Sequence, residues 1–112
     1  MEEQKDFGEL EKDLAHFTRA IGHPARVAVL LAIARKGTVS RGELLSVPPL
    51  APATVTQHLR DLKRAGLITG RIFGSNSNFE LDHDNLKKFN DDFQSFVKLI
   101  YNNGQPAEGS VS

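Results

Sequence analysis

The stretch from Ala51 to Ile68, APATVTQHLRDLKRAGLI, carries the start signal, the apolar stripe and the stop signal of a single helix. Pro52 suits the first helical position because a proline has no amide hydrogen to leave unpaired, and Gly66 suits the position just after a helix. We therefore predict a helix from Pro52 to about Ala65. At about 100° per residue, its apolar residues share one side and a polar, basic set lies near the opposite side. The apolar side consists of Val55, Leu59 and Leu62.

The outward side of this helix has the chemistry of DNA contact. Glutamine pairs with adenine and arginine with guanine through two hydrogen bonds, a threonine methyl contacts thymine, and basic side chains bind phosphates. The predicted DNA contacts on this helix are Thr54, Thr56, Gln57, Arg60, Lys63 and Arg64. His58 lies at the edge of the apolar stripe, so we interpret it as a half-buried, hydrogen-bonded residue. A charged solvent face is also ordinary for an amphipathic helix, and that alternative stays open for the helix alone.

The residues after the helix indicate a β-hairpin. Leu67 to Phe73 and Asn78 to Leu81 have the pattern of two short strands, and Gly74 to Ser77 has that of a turn. A helix followed at once by a hairpin with a polar tip is the layout of a winged helix-turn-helix, in which the wing lies over the backbone or minor groove of DNA. The predicted DNA contacts in this hairpin are Arg71, Ser75 and Asn76.

A capping box and two prolines delimit a short helix upstream. Ser40 and Glu43 have the spacing at which each side chain accepts a hydrogen bond from the other residue's backbone amide. The helix should end by about Val47, because Pro48 and Pro49 cannot continue it. This segment supplies the first helix and the turn of the helix-turn-helix.

With these residues the chain resembles the ArsR-type family of bacterial winged helix-turn-helix repressors. The matching segments are His23 to Val27, Thr54 to Leu59, Leu62, Ala65 to Ile68, and Arg71 to Leu81. The resemblance covers about Leu10 to Ile100. It implies a fold that is mainly α with a small β-hairpin (α + β), with the hairpin between the fourth and fifth helices. It also implies a homodimer joined by the first and last helices, operator DNA as the partner, and repression that an inducer relieves.

Two apolar stripes at the ends of the chain agree with a dimer. Apolar residues recur there at spacings of three and four, as in helices that pack along a seam. The segment Pro24 to Lys36 is apolar on nearly every side and predicts the core helix, so two stripes compete for one small core. We expect the terminal helices to pack on each other and on a second copy, with packing inside the monomer core as the alternative. The predicted interface residues are Leu10, Leu14, Phe17, Ile21, Phe89, Phe93, Phe96 and Ile100.

Length and charge favour one small DNA-binding domain. A chain of 112 residues suits a single compact unit, which we place at residues 1–103, with a disordered tail at 104–112. The formal net charge is zero, but residues 35–73 carry seven basic and two acidic side chains, an excess of five at the proposed reading helix. A local basic excess of this kind is the electrostatic footprint of a nucleic-acid binder.

Other classes of protein find little support in the sequence. The absence of cysteine excludes disulfides and thiolate metal sites, and we predict no metal or other cofactor. Asp13, His16 and His23 have a spacing that keeps a metal sensor with histidine and carboxylate ligands as an alternative. No nucleophile motif or phosphate-binding loop is present, so we predict no enzyme. A second alternative is a winged-helix module that binds protein.

The same sequence favours a cytoplasmic protein without a membrane partner. No run approaches the roughly 18 apolar residues of a membrane span. The segment Met1 to Gln4 is acidic and lacks the basic and apolar regions of a signal peptide. The sequence names no operator, no regulated gene and no inducer.

Overall fold

The computed structural model describes residues 6–74 and 76–104. Within them the helices are α1 (Glu9–Ala20), α2 (Pro24–Lys36), α3 (Arg41–Leu45), α4 (Pro52–Arg64) and α5 (His83–Gly104). The strands are β1 (Val39–Ser40), β2 (Ile68–Thr69) and β3 (Asn78–Leu81). They form an antiparallel sheet in the order β1-β3-β2. The predicted α + β class, mainly helical with a small hairpin, is confirmed. Of the predicted tail, residues 105–112 lie outside the described part.

The starts of α2 and α3 follow from local hydrogen bonding. Nδ1 of His23 accepts a hydrogen bond from the amide of Ala25 at 3.0 Å, so a histidine caps α2. The Ser40 hydroxyl accepts from the Glu43 amide at 3.1 Å, and the Glu43 carboxylate accepts from the Ser40 amide at 3.3 Å. The capping box that the sequence predicts is therefore present at the start of α3.

The bounds of α4 match the prediction to within one residue. The helix begins at Pro52, and Ala51 before it offers no side-chain cap. Gly66 follows the helix with a φ of +86°, a conformation that favours glycine. A Cβ there would lie 2.7 Å from Nδ2 of the Asn85 side chain, which donates to the Gly66 carbonyl at 2.9 Å. The glycine therefore ends α4 and lets the first turn of α5 lie against that end.

The core lies between α2, α4 and the sheet. The predicted apolar side of α4 is fully buried. The largest fully buried side chains are Phe79, Ile33, Leu44, Leu59, Leu62, Leu67, Ile68, Val29 and Val55. The prediction that α2 is a core helix, buried on nearly every side, is only partly right. The side chains of Val27 and Leu31 are 41% and 47% exposed. Since α4 and β3 contact α2 along the face of Val29 and Ile33, the opposite face of α2 stays open.

The first strand of the wing is shorter than predicted. The expected strand from Leu67 to Phe73 is limited to β2, which pairs Ile68 with Leu81 and Thr69 with Glu80. Gly70 has a φ of +142°, so the chain leaves strand geometry there. The prediction of a strand through Phe73 is therefore wrong, whereas the return strand β3 is confirmed.

Strand β1 is an element that the sequence did not predict. It pairs with the far edge of β3, with Val39 opposite Phe79 and Ser40 opposite Asn78. The Arg41 amide continues this contact by donating to the Ser77 carbonyl at 2.9 Å. The β1 pairing thus fixes the start of α3 against the base of the wing.

Helices α1 and α5 pack on each other inside the chain. The rings of Phe17 and Phe89 stack with centroids 4.7 Å apart, and Lys88 pairs with Asp13 at 2.9 Å. Five predicted interface residues are buried or half-buried within the single chain: Leu10, Leu14, Phe17, Ile21 and Phe89. By contrast, every residue from 93 to 102 is exposed, and this segment includes Phe93, Phe96 and Ile100.

Candidate nucleic-acid interface

The polar face of α4 points away from the core, as its periodicity predicts. Among the side chains assigned to DNA, Thr54, Gln57, Lys63 and Arg64 are exposed, and Thr56 and Arg60 are half-buried. The opposite face carries Val55, Leu59 and Leu62, which anchor the helix. The assigned side chains therefore share the one surface of α4 that packing leaves free.

Phe73 joins the wing to both helices of the helix-turn-helix. The guanidinium carbon of Arg60 lies 5.5 Å from the centroid of its ring, and that of Arg41 lies 5.9 Å away. These separations are within the range of cation–π attraction. From the sequence, Phe73 is predicted only as a strand residue, and Arg41 is not among the predicted DNA contacts. The ring gathers basic side chains from α3 and α4 at the foot of the wing.

The wing tip is a polar turn with exposed side chains. Arg71 and Asn76 are exposed, and Ser75 lies outside the described residues. Asn76 has a φ of +60°, which asparagine tolerates better than most residues. The Ser77 hydroxyl donates to the Gly74 carbonyl at 2.8 Å and closes the turn. The described part of the tip thus presents one cation and one amide to a ligand above the wing.

Asp61 links the outward face of α4 to α2. One carboxylate oxygen accepts from the Arg26 guanidinium at 2.6 Å, and the other accepts from the Gln57 side-chain amide at 2.9 Å. The Gln57 carbonyl oxygen in turn accepts from Arg60 at 3.0 Å. Arg64 lies 3.6 Å from the same carboxylate. A continuous chain of hydrogen bonds therefore joins Arg26, Asp61, Gln57 and Arg60.

His58 is the buried polar residue of α4, with 8% of its surface exposed. Its Nδ1 accepts from Nε of Arg26 at 3.0 Å, and its ring lies 4.4 Å from the ring of His23. Arg26 also donates to the Ala20 carbonyl at 3.1 Å. His58 is hydrogen-bonded and lies off the exposed ridge, as its place in the stripe predicts.

We expect His58 to destabilise the folded protein as the pH falls below about 6.5. Burial, and then the nearby His23 and Arg26, lower the pKa of His58 from 6.5, although Asp61 acts in the opposite direction. His58 therefore binds a proton more weakly in the folded protein than in the unfolded chain. The contribution of neutral His58 to the free energy of unfolding is complete above about pH 6.5 and is lost as the pH falls through the lowered pKa.

Thermal unfolding between about pH 7.5 and pH 5 measures this effect. The unfolding temperature of the wild-type protein should fall more steeply with acid than that of His58→Asn, whose amide oxygen still accepts a hydrogen bond from Arg26. Equal slopes for the two proteins would contradict the assignment.

The described residues hold no group of three or more His, Cys, Asp or Glu side chains placed to bind a metal. Of the residues considered as ligands, His16 makes a hydrogen bond through Nε2 to the Ala65 carbonyl at 3.1 Å, and Asp13 pairs with Lys88. No single helix in residues 6–74 and 76–104 is long and apolar enough to cross a membrane. Helices α1 and α2 reach that length and hydropathy only together, across a bend of 89°.

The sequence and the fold both have known counterparts. Residues 21–71, from the end of α1 to the start of the wing, match the family model of a helix-turn-helix domain. No protein of curated function matches the sequence.

Several solved structures are similar to this chain. A possible transcriptional regulator for arsenical resistance is 28% identical, with 70% of this chain and 81% of that chain covered and a TM-score of 0.63. An ArsR-like transcriptional regulator from Rhodococcus sp. RHA1 is 19% identical, with 83% of each chain covered and a TM-score of 0.62. The homodimeric winged helix-turn-helix DNA-binding domain of a possible ArsR-family regulator from Mycobacterium bovis is 19% identical. It covers 100% of this chain and 98% of its own, with a TM-score of 0.60.

Proposed function

We propose that this chain is an ArsR-type winged helix-turn-helix transcriptional regulator and a homodimeric repressor of a near-palindromic operator. The match to a helix-turn-helix family model and the similarity to a possible regulator for arsenical resistance support the assignment. Helix α4 enters the major groove, and the wing lies on the backbone or in the minor groove. The observation that carries the proposal is the pair of Gln57, which is exposed, and Arg60, which is half-buried, on the outward face of α4, with the wing directly beside it. A glutamine and an arginine on one exposed helix face supply the two side chains best suited to read adenine and guanine.

The contacts divide into base reading and phosphate binding. Base edges are contacted by the exposed face of α4 through Thr54, Thr56, Gln57 and Arg60. Phosphates are bound by Lys63 and Arg64 at the end of α4 and by the wing residues Arg71, Ser75 and Asn76. Phosphate contacts position the protein on any duplex, whereas base contacts give preference for one sequence.

The end of α5 supports the dimer. Residues 93–102 carry six exposed apolar side chains, with exposures between 40% and 62%: Phe93, Phe96, Val97, Leu99, Ile100 and Tyr101. Phe93, Phe96 and Ile100 continue the stripe by which Leu86 and Phe89 pack within the chain, and the other three residues widen it. An apolar patch of this kind on a helix in water marks a contact surface, and the similar domain from Mycobacterium bovis is homodimeric. A dimer reads two half-sites on one face of the duplex when its recognition helices lie about 34 Å apart, one helical turn of DNA.

Selection of bound sequences from a random duplex library tests the function. An enriched palindrome with half-sites about one helical turn apart is expected, and binding should weaken steeply as the salt concentration rises. No enrichment, together with association that salt hardly changes, would instead favour a winged-helix module that binds protein.

Two kinds of alanine variant should separate base reading from phosphate binding. Gln57→Ala or Arg60→Ala should weaken binding to the selected operator by about 1–3 kcal/mol and relax the preference at one base pair of each half-site. Arg71→Ala should weaken the operator and an unrelated duplex by similar factors, because it removes a phosphate contact. Fluorescence anisotropy on both duplexes measures the ratio, and Gln94→Ala on the exposed surface of α5 is the control. Equal losses on both duplexes for all three variants would refute the base-reading assignment.

A further inference from the structure

We infer that Asp61 is a positioning residue that orients the base-reading side chains of α4 and thereby sets the operator preference. The inference rests on the proposed DNA binding by α4. Asp61 is the only acidic residue of this helix, and it sits on the half of α4 that carries Arg60, Lys63 and Arg64. A carboxylate near DNA repels the phosphates and lowers the affinity for every sequence. An acid in this place therefore needs a compensating role.

The carboxylate of Asp61 is held rigidly from the core side. Its side chain and that of Arg26 are 25% and 18% exposed, and the two groups are 2.6 Å apart. Arg26 is itself fixed by its hydrogen bonds to His58 and to the Ala20 carbonyl. Two helices therefore determine where the second carboxylate oxygen lies. That oxygen is the one that faces Gln57.

The Asp61 carboxylate fixes the orientation of the Gln57 side-chain amide. An ionised carboxylate can only accept hydrogen bonds, so the NH₂ end of the amide must face Asp61 and the oxygen must face Arg60. One N–H and one lone pair of the amide then stay free. Adenine presents the matching acceptor and donor, N7 and N6, in the major groove. Gln57 is thus oriented for adenine before DNA arrives.

The orientation of the Gln57 amide also determines the position of the Arg60 side chain. Its guanidinium is held by the Gln57 oxygen at 3.0 Å and by the ring of Phe73 at 5.5 Å. If the Gln57 amide turned over, its NH₂ group would face the guanidinium, and two donors cannot pair. Asp61 therefore acts on both reading side chains, although it contacts only one of them.

Asp61→Asn is the test, because it removes the charge and keeps the size. The affinity for the selected operator should fall about tenfold, whereas the affinity for an unrelated duplex should rise about two- to fivefold as a repulsive charge is lost. Repeated library selection with the variant should show a weaker preference at the base pair that Gln57→Ala also affects. A purely structural role would lower the unfolding temperature and weaken both duplexes in proportion.

Two further variants complete the experiment. Asp91→Asn removes an exposed acid of α5 that pairs with Lys87 at 3.0 Å, and it should leave the ratio of the two affinities unchanged. Asp61→Glu keeps the charge and the partner Arg26 but displaces the carboxylate by one methylene. It should weaken the operator alone, so it decides the question even if Asp61→Asn unfolds.

The outcomes separate the inference from the proposed function. Wild-type base preferences in both Asp61 variants would overturn the inference and leave the proposed function intact. A wild-type protein without any sequence preference would overturn both.

Discussion

Phe93→Asp is expected to convert the proposed dimer into a monomer and to weaken binding to the selected operator by about a hundredfold or more. Phe93 is 42% exposed in the single chain and lies within the apolar stripe of residues 93–102. In the proposed dimer a charge there would be buried against apolar side chains, which is strongly unfavourable. Once the subunits separate, each recognition helix binds one half-site alone, and the gain from linking two sites is lost.

Light scattering on the purified variant and anisotropy on the operator measure the two effects. Ser95→Asp is the matched control, because it places the same charge on the opposite, polar side of the same helix segment, near Lys98 and Asn102. It should leave the dimer and its operator affinity as in the wild type. If Phe93→Asp stays dimeric with an unchanged helix content, the exposed end of α5 is not the interface.

The terminal stripes show how far a periodic pattern predicts packing. Spacings of three and four identify the apolar side of α1 and α5 from sequence alone. They do not say what covers that side, because the covering residues come from the other end of the chain. In the structure the two parts of the stripe differ. Phe17 and Phe89 stack on each other within the chain, whereas the apolar side chains from Phe93 to the end of α5 are exposed to solvent. This is also why Phe93, and not Phe17, gives the clean test of the dimer.

Elements with local signals could be predicted from the sequence, and those without could not. Helix α4 has a proline at its start and a glycine at its end, so its bounds could be predicted to within one residue. Strand β1 has two residues and no alternation, and its partner Phe79 lies 40 positions further along the chain. Pairing over such a distance leaves no trace in local periodicity.

The same contrast holds for the candidate site. The exposed face of α4 follows from its periodicity, and the spacing of Gln57 and Asp61 is one at which side chains meet on a helix. The role of Asp61 could not be predicted from the sequence, because its main partner, Arg26, comes from another helix. The contact of Phe73 with Arg41 and Arg60 likewise depends on how the wing folds back on α3 and α4.

Gly70→Ala is expected to lower the free energy of unfolding by about 3 kcal/mol, through strain and overpacking together. The residue has a φ of +142°, which side chains rarely adopt. A Cβ there would lie 2.5 Å from the Asn78 carbonyl oxygen and 2.6 Å from the ring of Phe79. Phe79 is fully buried, so the ring cannot move without disturbing the core. Only glycine lets the backbone that follows β2 pass so close to β3.

Urea denaturation followed by circular dichroism measures the loss, and Gly42→Ala supplies the control. Gly42 lies in α3, and a Cβ there would meet only the Ser40 hydroxyl at 3.9 Å, so alanine should stabilise that helix by up to about 1 kcal/mol. An unfolding free energy for Gly70→Ala within about 0.5 kcal/mol of the wild type, the range of harmless surface changes, would contradict the close crossing. Arg71 follows Gly70 directly, so a wing displaced by the alanine would also carry a predicted phosphate contact away from the duplex. For that reason the folded fraction of Gly70→Ala should bind operator and unrelated DNA more weakly by similar factors.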